Sequence, residues 1–271
     1  MDKVCNVPVA VPSAPDLILD LLVADGGTLS AQALCRAGAL MGIGESTLRV
    51  GLTRLAAEGK IARGERGSYM LDRKGAALSR TVDAWRNRQA QTVAWRGDWL
   101  AVHDAGVPRA DKTAWRHHAL ALSLRGFAAL HPGLHIRPDN LSGGLAAERK
   151  HLAALGLSSD ALVFRIADLD EAAQAAARKL WNVRAMEADY RRLQTGVERS
   201  EKRLATQKLE TATRESLLLG RAVIAHIIRD PLLPAELMSP APRAALLAVT
   251  CRYQDRARQL WHEWLALPQP R

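Results

Sequence analysis

The chain has 271 residues, 48% hydrophobic and 24% charged, the balance of an ordinary globular protein and a length that suits two or three domains. Thirty-eight Lys and Arg against 28 Asp and Glu leave a net +10, which favours polyanionic partners and says nothing about fold. No apolar run approaches the roughly 18 residues of a membrane-spanning helix, and three scattered cysteines (Cys5, Cys35, Cys251) form neither a disulfide framework nor a zinc spacing. A cytoplasmic location is therefore expected, with residues 1–15, broken by prolines, as a loose tail.

The first elements are helical. Leu17, Ile18, Leu21 and Leu22 recur at helical spacing after Pro15, and Asp25-Gly26-Gly27 stops the run. Ser30 is an N-cap for a second helix to about Ala39, and Met41-Gly42-Ile43-Gly44 is a tight turn. A third helix, Glu45 to about Glu58, buries Leu48, Leu52 and Leu55 at i, i+4 and i+7. That rotation leaves Ser46, Thr47, Arg49, Val50, Thr53 and Arg54 on the flanks or open face. Hydroxyls, a small apolar group and guanidiniums are the side chains that read base edges in a major groove. Residues 60–71 read as strand, turn and strand, a hairpin whose tip carries Arg63 and Arg66. Between Arg36 and Arg96 stand twelve basic and five acidic residues, a net +7. Three helices, a basic hairpin and this concentrated charge predict a winged helix-turn-helix bound to double-stranded DNA, Arg63 and Arg66 on the backbone; a protein-interaction module is the alternative. A basic linker helix is expected over about 72–91, closing a domain that spans 16–92.

From 93 to 180 the pattern changes. Residues 98–104 read as a strand, 111–125 as a helix, 127–136 as one or two strands around Pro132-Gly133, 145–155 as a helix, 161–166 as a strand and 169–183 as a helix. This order predicts a ferredoxin-like α/β domain. Residues 181–268 are expected to form a helical domain: a largely helical stretch over 187–229, its polar part 198–215 read as solvated helix and loop and its apolar part 217–228 as buried helix, ended by Asp230-Pro231, then a helix over 244–266 with Trp261 and Trp264 on one face, for core packing or a dimer seam. The class is thus multidomain α+β. No metal-binding or triad spacing occurs among the histidines, and no glycine-rich nucleotide loop is present, so no catalytic residue, metal or cofactor is assigned.

A family resemblance joins these parts. Ile43-Gly44-Glu45-Ser46-Thr47-Leu48-Arg49-Val50-Gly51-Leu52-Thr53-Arg54-Leu55 resembles the recognition segment of the PaaX family of bacterial repressors. Trp95-Arg96-Gly97-Asp98-Trp99, Arg125-Gly126-Phe127, Arg137-Pro138, Leu180-Trp181, Tyr190 and Arg229-Asp230-Pro231-Leu232-Leu233-Pro234 resemble later blocks in the same order. Residues 237–243 depart from the family's pattern, lacking its tryptophan and glycine. The middle segment is also similar to the Cas2 nucleases, with Asp104 at the strand end where a dimer's paired carboxylates would hold Mg²⁺. A homodimer assembled mainly through residues after Trp85 is expected because a single winged helix reads only a few base pairs. The resemblance implies a repressor of a catabolic operon and an aryl-CoA or other acyl-CoA effector. Arg137, Arg221 and Arg229 are the arginines it offers for such an anion, with Trp181 as an aromatic wall. The alternatives are a Cas2-like metal-dependent nuclease on the middle domain and a DNA-bound scaffold without effector.

Overall fold

A computed structural model describes residues 10–72, 74 and 84–268, with the side chain of Arg66 outside the described residues. Helices and two antiparallel sheets mix into an α+β fold. Two compact units form: unit 1 is Met1–Arg86, Arg192–Ile224 and Leu246–Arg271, and unit 2 is Asn87–Arg191 and Ala225–Ala245. The helices expected over 181–268 are therefore divided between the two units rather than gathered in a third domain.

Unit 1 opens with α1 (Ala14–Asp25), whose first-turn amide at Asp16 donates to the Ser13 hydroxyl. β1 (Thr28–Ser30) leads into α2 (Ala31–Leu40), where Ser30 Oγ accepts from the Ala33 amide at 3.0 Å. After the turn at 41–44 comes α3 (Glu45–Ala57), with Leu48, Leu52 and Leu55 at most 2% exposed. Burying leucines so completely stabilises by roughly 1.5–3 kcal/mol each. Gly51 lets α1 and α3 approach: a Cβ there would lie 3.3 Å from Ala14 Cβ and Ile18 Cδ1. The expected hairpin is present as β2 (Ile61–Arg63) and β3 (Ser68–Leu71), with a 3-10 turn at Glu65–Gly67 between them. β1 adds to the other edge of β3, an unanticipated third strand giving the order β1-β3-β2.

Later segments of the chain complete this core. α7 (Val183–Leu204) and α8 (Leu209–Ile228) are separated at 205–208, inside the polar stretch 198–215 expected to hold helix and loop, and α9 (Ala241–Leu265) begins three residues earlier than expected. Leu217 and Leu218 of α8 and Trp261 and Trp264 of α9 join the core of α1, α2 and α3, so the two tryptophans serve core packing. They meet edge to face at 5.8 Å, and the Arg36 guanidinium lies 4.9 Å from the Trp264 ring.

Unit 2 contains β4 (Trp99–His103), α4 (Lys112–Leu124), β5 (Ala128–His131), β6 (Leu134–Pro138), α5 (Gly144–Ala154) and β7 (Leu162–Ile166). Pro132-Gly133 divides the stretch at 127–136 into two strands, completing a β-α-β-β-α-β order. The sheet runs β5-β6-β4-β7, antiparallel throughout. Central β4 is buried on both faces. Leu100 and Val102 pack with Ala121, Leu122, Phe127 and Leu152, whereas Trp99 and Ala101 pack with Trp95, Ile136 and Ala177. Ala177 belongs to α6 (Glu171–Arg178), shorter than the helix expected over 169–183. Of the expected linker helix, residues 73 and 75–83 lie outside the described residues, and Ala84–Gln91 is a 3-10 helix.

Candidate functional site

The open face of α3 carries Ser46, Thr47, Arg49, Val50, Thr53 and Arg54, all exposed, Val50 to 68%. The rotation is fixed by Leu48, Gly51, Leu52 and Leu55 on the opposite side. Both guanidiniums are held within the helix. Arg49 Nε and Nη2 donate to Glu45 Oε1 at 2.8 and 2.6 Å, and Arg54 Nε donates to Glu58 Oε1 at 2.9 Å. The hydrogen bond to Glu45, followed by that carboxylate's charge, raises the Arg49 pKa above its ordinary value. Exposed pairs of this kind are weak and screened by salt, so a phosphate or base edge displaces them readily. Arg63 is exposed at the end of β2; the expected role of Arg66 rests on a side chain outside the described residues.

The four residues expected to bind an effector separate. Arg221 pairs with Asp20, and Asp16 lies 3.9 Å away, all in unit 1. Arg137, in unit 2, is 1% exposed. Its guanidinium donates to the carbonyls of Arg125, Pro138 (3.2 Å) and Pro231 (3.3 Å) and to Asn140 Oδ1 (3.2 Å). Burial pushes it down to about 10. Arg137 is thus a main-chain brace and lies out of a ligand's reach. Three of the blocks that resemble the family's, Arg125-Gly126-Phe127, Arg137-Pro138 and the run 229–234, meet at this brace. Gly126 has φ +75°, and a Cβ there would sit 2.6 Å from Pro231 Cα. Tyr190 Oη donates to Asp230 Oδ2 at 2.7 Å, and Asp230 Oδ1 accepts from the Leu232 amide at 2.7 Å. Burial first, then the Asp230 charge, raises the Tyr190 pKa.

Arg229 and Trp181 do come together, lining a cavity of about 450 Å³ in unit 2 with Trp115, Leu122, Phe127 and Met186. Asp104, Tyr190 and His226 also line it. Arg229 is exposed, and its Nη1 donates to the Ala225 carbonyl at 2.9 Å. Trp181 stacks on Trp99 with centroids 6.2 Å apart.

Asp104, the strand-end carboxylate of the Cas2-like resemblance, directly follows β4 and is 1% exposed. Two histidines that sequence spacing left unassigned meet its Oδ2: His118 Nε2 at 2.9 Å and His135 Nε2 at 3.3 Å. His118 Nδ1 accepts from the Ser158 amide at 3.1 Å, which fixes the Nε2–H tautomer as the donor to Asp104. The available signal was the face of α4, where His118 shares the buried side with Ala121 and Leu122. Among the described residues no group of three or more His, Cys, Asp or Glu is placed to hold a metal ion.

Comparison with known proteins places the first of these regions in a class. Residues 16–75, which take in all but the first two residues of α1 and the whole of α2, α3 and the hairpin, match the family described as PaaX-like protein. The resemblance read from Ile43 to Leu55 lies inside that match. The family is a regulatory rather than an enzymatic one, and the match implies a transcriptional regulator in general terms. A solved structure, the uncharacterized protein Rv0674 from Mycobacterium tuberculosis, is similar over 90% of this chain and 98% of its own, with 25% identity and a TM-score of 0.56. No curated protein matches the chain. No described helix is long and apolar enough to cross a membrane.

Proposed function

We propose that the chain is a cytoplasmic, DNA-binding repressor that acts as a homodimer and answers to a small anionic effector. Residues 16–72 then work as a winged helix-turn-helix, with α3 in the major groove and the β2–β3 hairpin as a wing along the backbone. The observation that carries this reading is the face of α3. Six side chains suited to bases and phosphates are exposed together, and none of them is needed by the core. The basic excess between Arg36 and Arg96 supplies the sequence-independent attraction. Homodimerisation follows from information content. One such module reads only a few base pairs, so specificity requires two half-sites separated by about one helical turn or more. Of the residues offered for the effector, Trp181 and Arg229 line a cavity in unit 2, which supports an effector site there.

The test is selection of a consensus duplex from a random pool, followed by salt titrations on that duplex and on unrelated DNA. Arg49→Ala is expected to weaken the consensus complex about 10–100-fold and leave unrelated DNA nearly unaffected, the signature of base reading. Arg63→Ala weakens both alike and reduces the salt slope by about one. Failure to select any consensus, or equal losses for Arg49→Ala on both duplexes, refutes the assignment of α3 as the reading element.

A further inference from the structure

The carboxylate of Asp104 is only half satisfied. Oδ2 accepts from His118 and faces His135, whereas Oδ1 is buried with no hydrogen-bond partner. The imidazole of His118 cannot turn to serve Oδ1, because its Nδ1 is engaged by the Ser158 amide and its ring stacks on Trp115 at 5.0 Å. A buried carboxylate oxygen without a donor is costly, and such an atom in a native fold calls for a missing partner. Asp104 lines the unit 2 cavity, whose volume of about 450 Å³ falls in the range of small-ligand sites.

The surroundings specify that partner. No metal-binding group of three or more His, Cys, Asp or Glu exists among the described residues, so the missing contact is a hydrogen-bond donor. One oxygen is unsatisfied, which matches the single O–H of a hydroxyl. An ammonium would pair its charge with the carboxylate, but it brings three N–H donors where Asp104 has one unsatisfied oxygen, so a hydroxyl matches that oxygen more closely. Around the recess stand the flat rings of Trp115, Phe127 and Trp181, walls suited to another ring. Arg229 contributes an exposed guanidinium with donors beyond the one given to Ala225, suited to a carboxylate.

We propose that this cavity binds a hydroxyaryl carboxylic acid, its ring between the aromatic walls, its hydroxyl donating to Asp104 and its carboxylate paired with Arg229. This deepens the effector reading above and rests on it for its regulatory meaning. Binding itself is measured on the protein without DNA, so failure of the ligand site and failure of the DNA-binding reading are separate results.

The experiment is isothermal titration of the full chain with 4-hydroxybenzoate and with 3-(4-hydroxyphenyl)propanoate, each against its analogue lacking the hydroxyl. Two acids are used so that two spans between hydroxyl and carboxylate are covered. At least one hydroxy acid is expected to bind 10-fold or more tightly than its analogue. Asp104→Asn abolishes that preference, and Arg229→Gln weakens both members of the pair alike. Ala119→Trp fills the cavity from an exposed position on α4 and eliminates binding while leaving the Asp104 cluster untouched; it tests the site even where Asp104→Asn fails to fold. Equal affinities within both pairs overturn the proposal, as do absence of binding at millimolar concentration and wild-type affinity in Ala119→Trp.

Discussion

Arg137→Met is expected to destabilise unit 2 by about 3 kcal/mol. The guanidinium makes four hydrogen bonds, three to main-chain carbonyls and one to Asn140. Hydrogen bonds from a charged donor are worth about 1.5–3 kcal/mol each, and three of these, at 3.2–3.3 Å, are long enough to take the lower figure, giving about 6 kcal/mol in all. Against this stands the cost of keeping the charge buried. Its pKa, pushed down to about 10 from 12.5, corresponds to about 3 kcal/mol that the native state is spared once the charge is removed. The net loss is therefore near 3 kcal/mol, since methionine fills the volume and leaves the carbonyls unpaired. Urea unfolding at neutral pH, with a slope of about 1–3 kcal/mol/M, reads this as a midpoint lowered by roughly 1 M or more. Hydrogen exchange locates the loss at peptides around Gly126 and Pro231. An unchanged midpoint would refute the reasoning, because the four bonds would then do no more than offset the burial of the charge, as some buried ion pairs do.

Gly126→Ala is expected to cost on the order of 3 kcal/mol, since the new Cβ meets main-chain and ring atoms of Pro231 at 2.6 and 2.7 Å in a left-handed conformation; urea denaturation checks it, and a loss below 1 kcal/mol contradicts it. Glu215 provides a pH dependence. Burial raises its pKa, but hydrogen bonds from Arg203, Ser200 and Gln207 outweigh that and hold it below the ordinary value. Its contribution is thus complete above the ordinary carboxylate pKa and is lost as pH falls through the lowered one. Glu215→Gln should lose less stability than wild type between pH 5 and pH 3, and parallel losses would show that Glu215 does not couple to acid unfolding.

Much of the fold could be read in the chain because local chemistry and burial agree. Ser30 caps α2 and Leu48, Leu52 and Leu55 turn one side of α3 inward, both visible as spacing. β1 was not visible. Three residues cannot show a period, and this strand exists only through pairing with β3, 40 positions away in the register Leu29–Tyr69. The interruption between α7 and α8 falls on Ala205-Thr206-Gln207-Lys208, inside the polar stretch 198–215 that reads as helix and loop; with neither proline nor glycine there, the sequence does not mark where the break comes. The division of 181–268 between two units was equally hidden, since an apolar face such as that of Leu217 and Leu218 states that it is buried and not against what.

The two halves of the candidate site differ in legibility for the same reason. The DNA-facing residues lie on one helix, so the rotation that buries three leucines also exposes Arg49, Thr53 and Arg54, and one period contains both facts. The Asp104 cluster is made by sheet register. Asp104 follows β4, its amide donates to the Gly133 carbonyl at 2.9 Å, and that hairpin register brings His135 at the start of β6 to its side. His118 arrives from α4 on the helix's buried face. No spacing of Asp104, His118 and His135 along the chain encodes their meeting. Arg137 shows the converse. A basic residue in a motif invites an anion, yet main-chain carbonyls from the end of α4, the end of β6 and the Pro231 turn use the same donors first. An arginine's partners are settled by burial, and Arg229, exposed one turn from Ala225, is the one left facing a cavity.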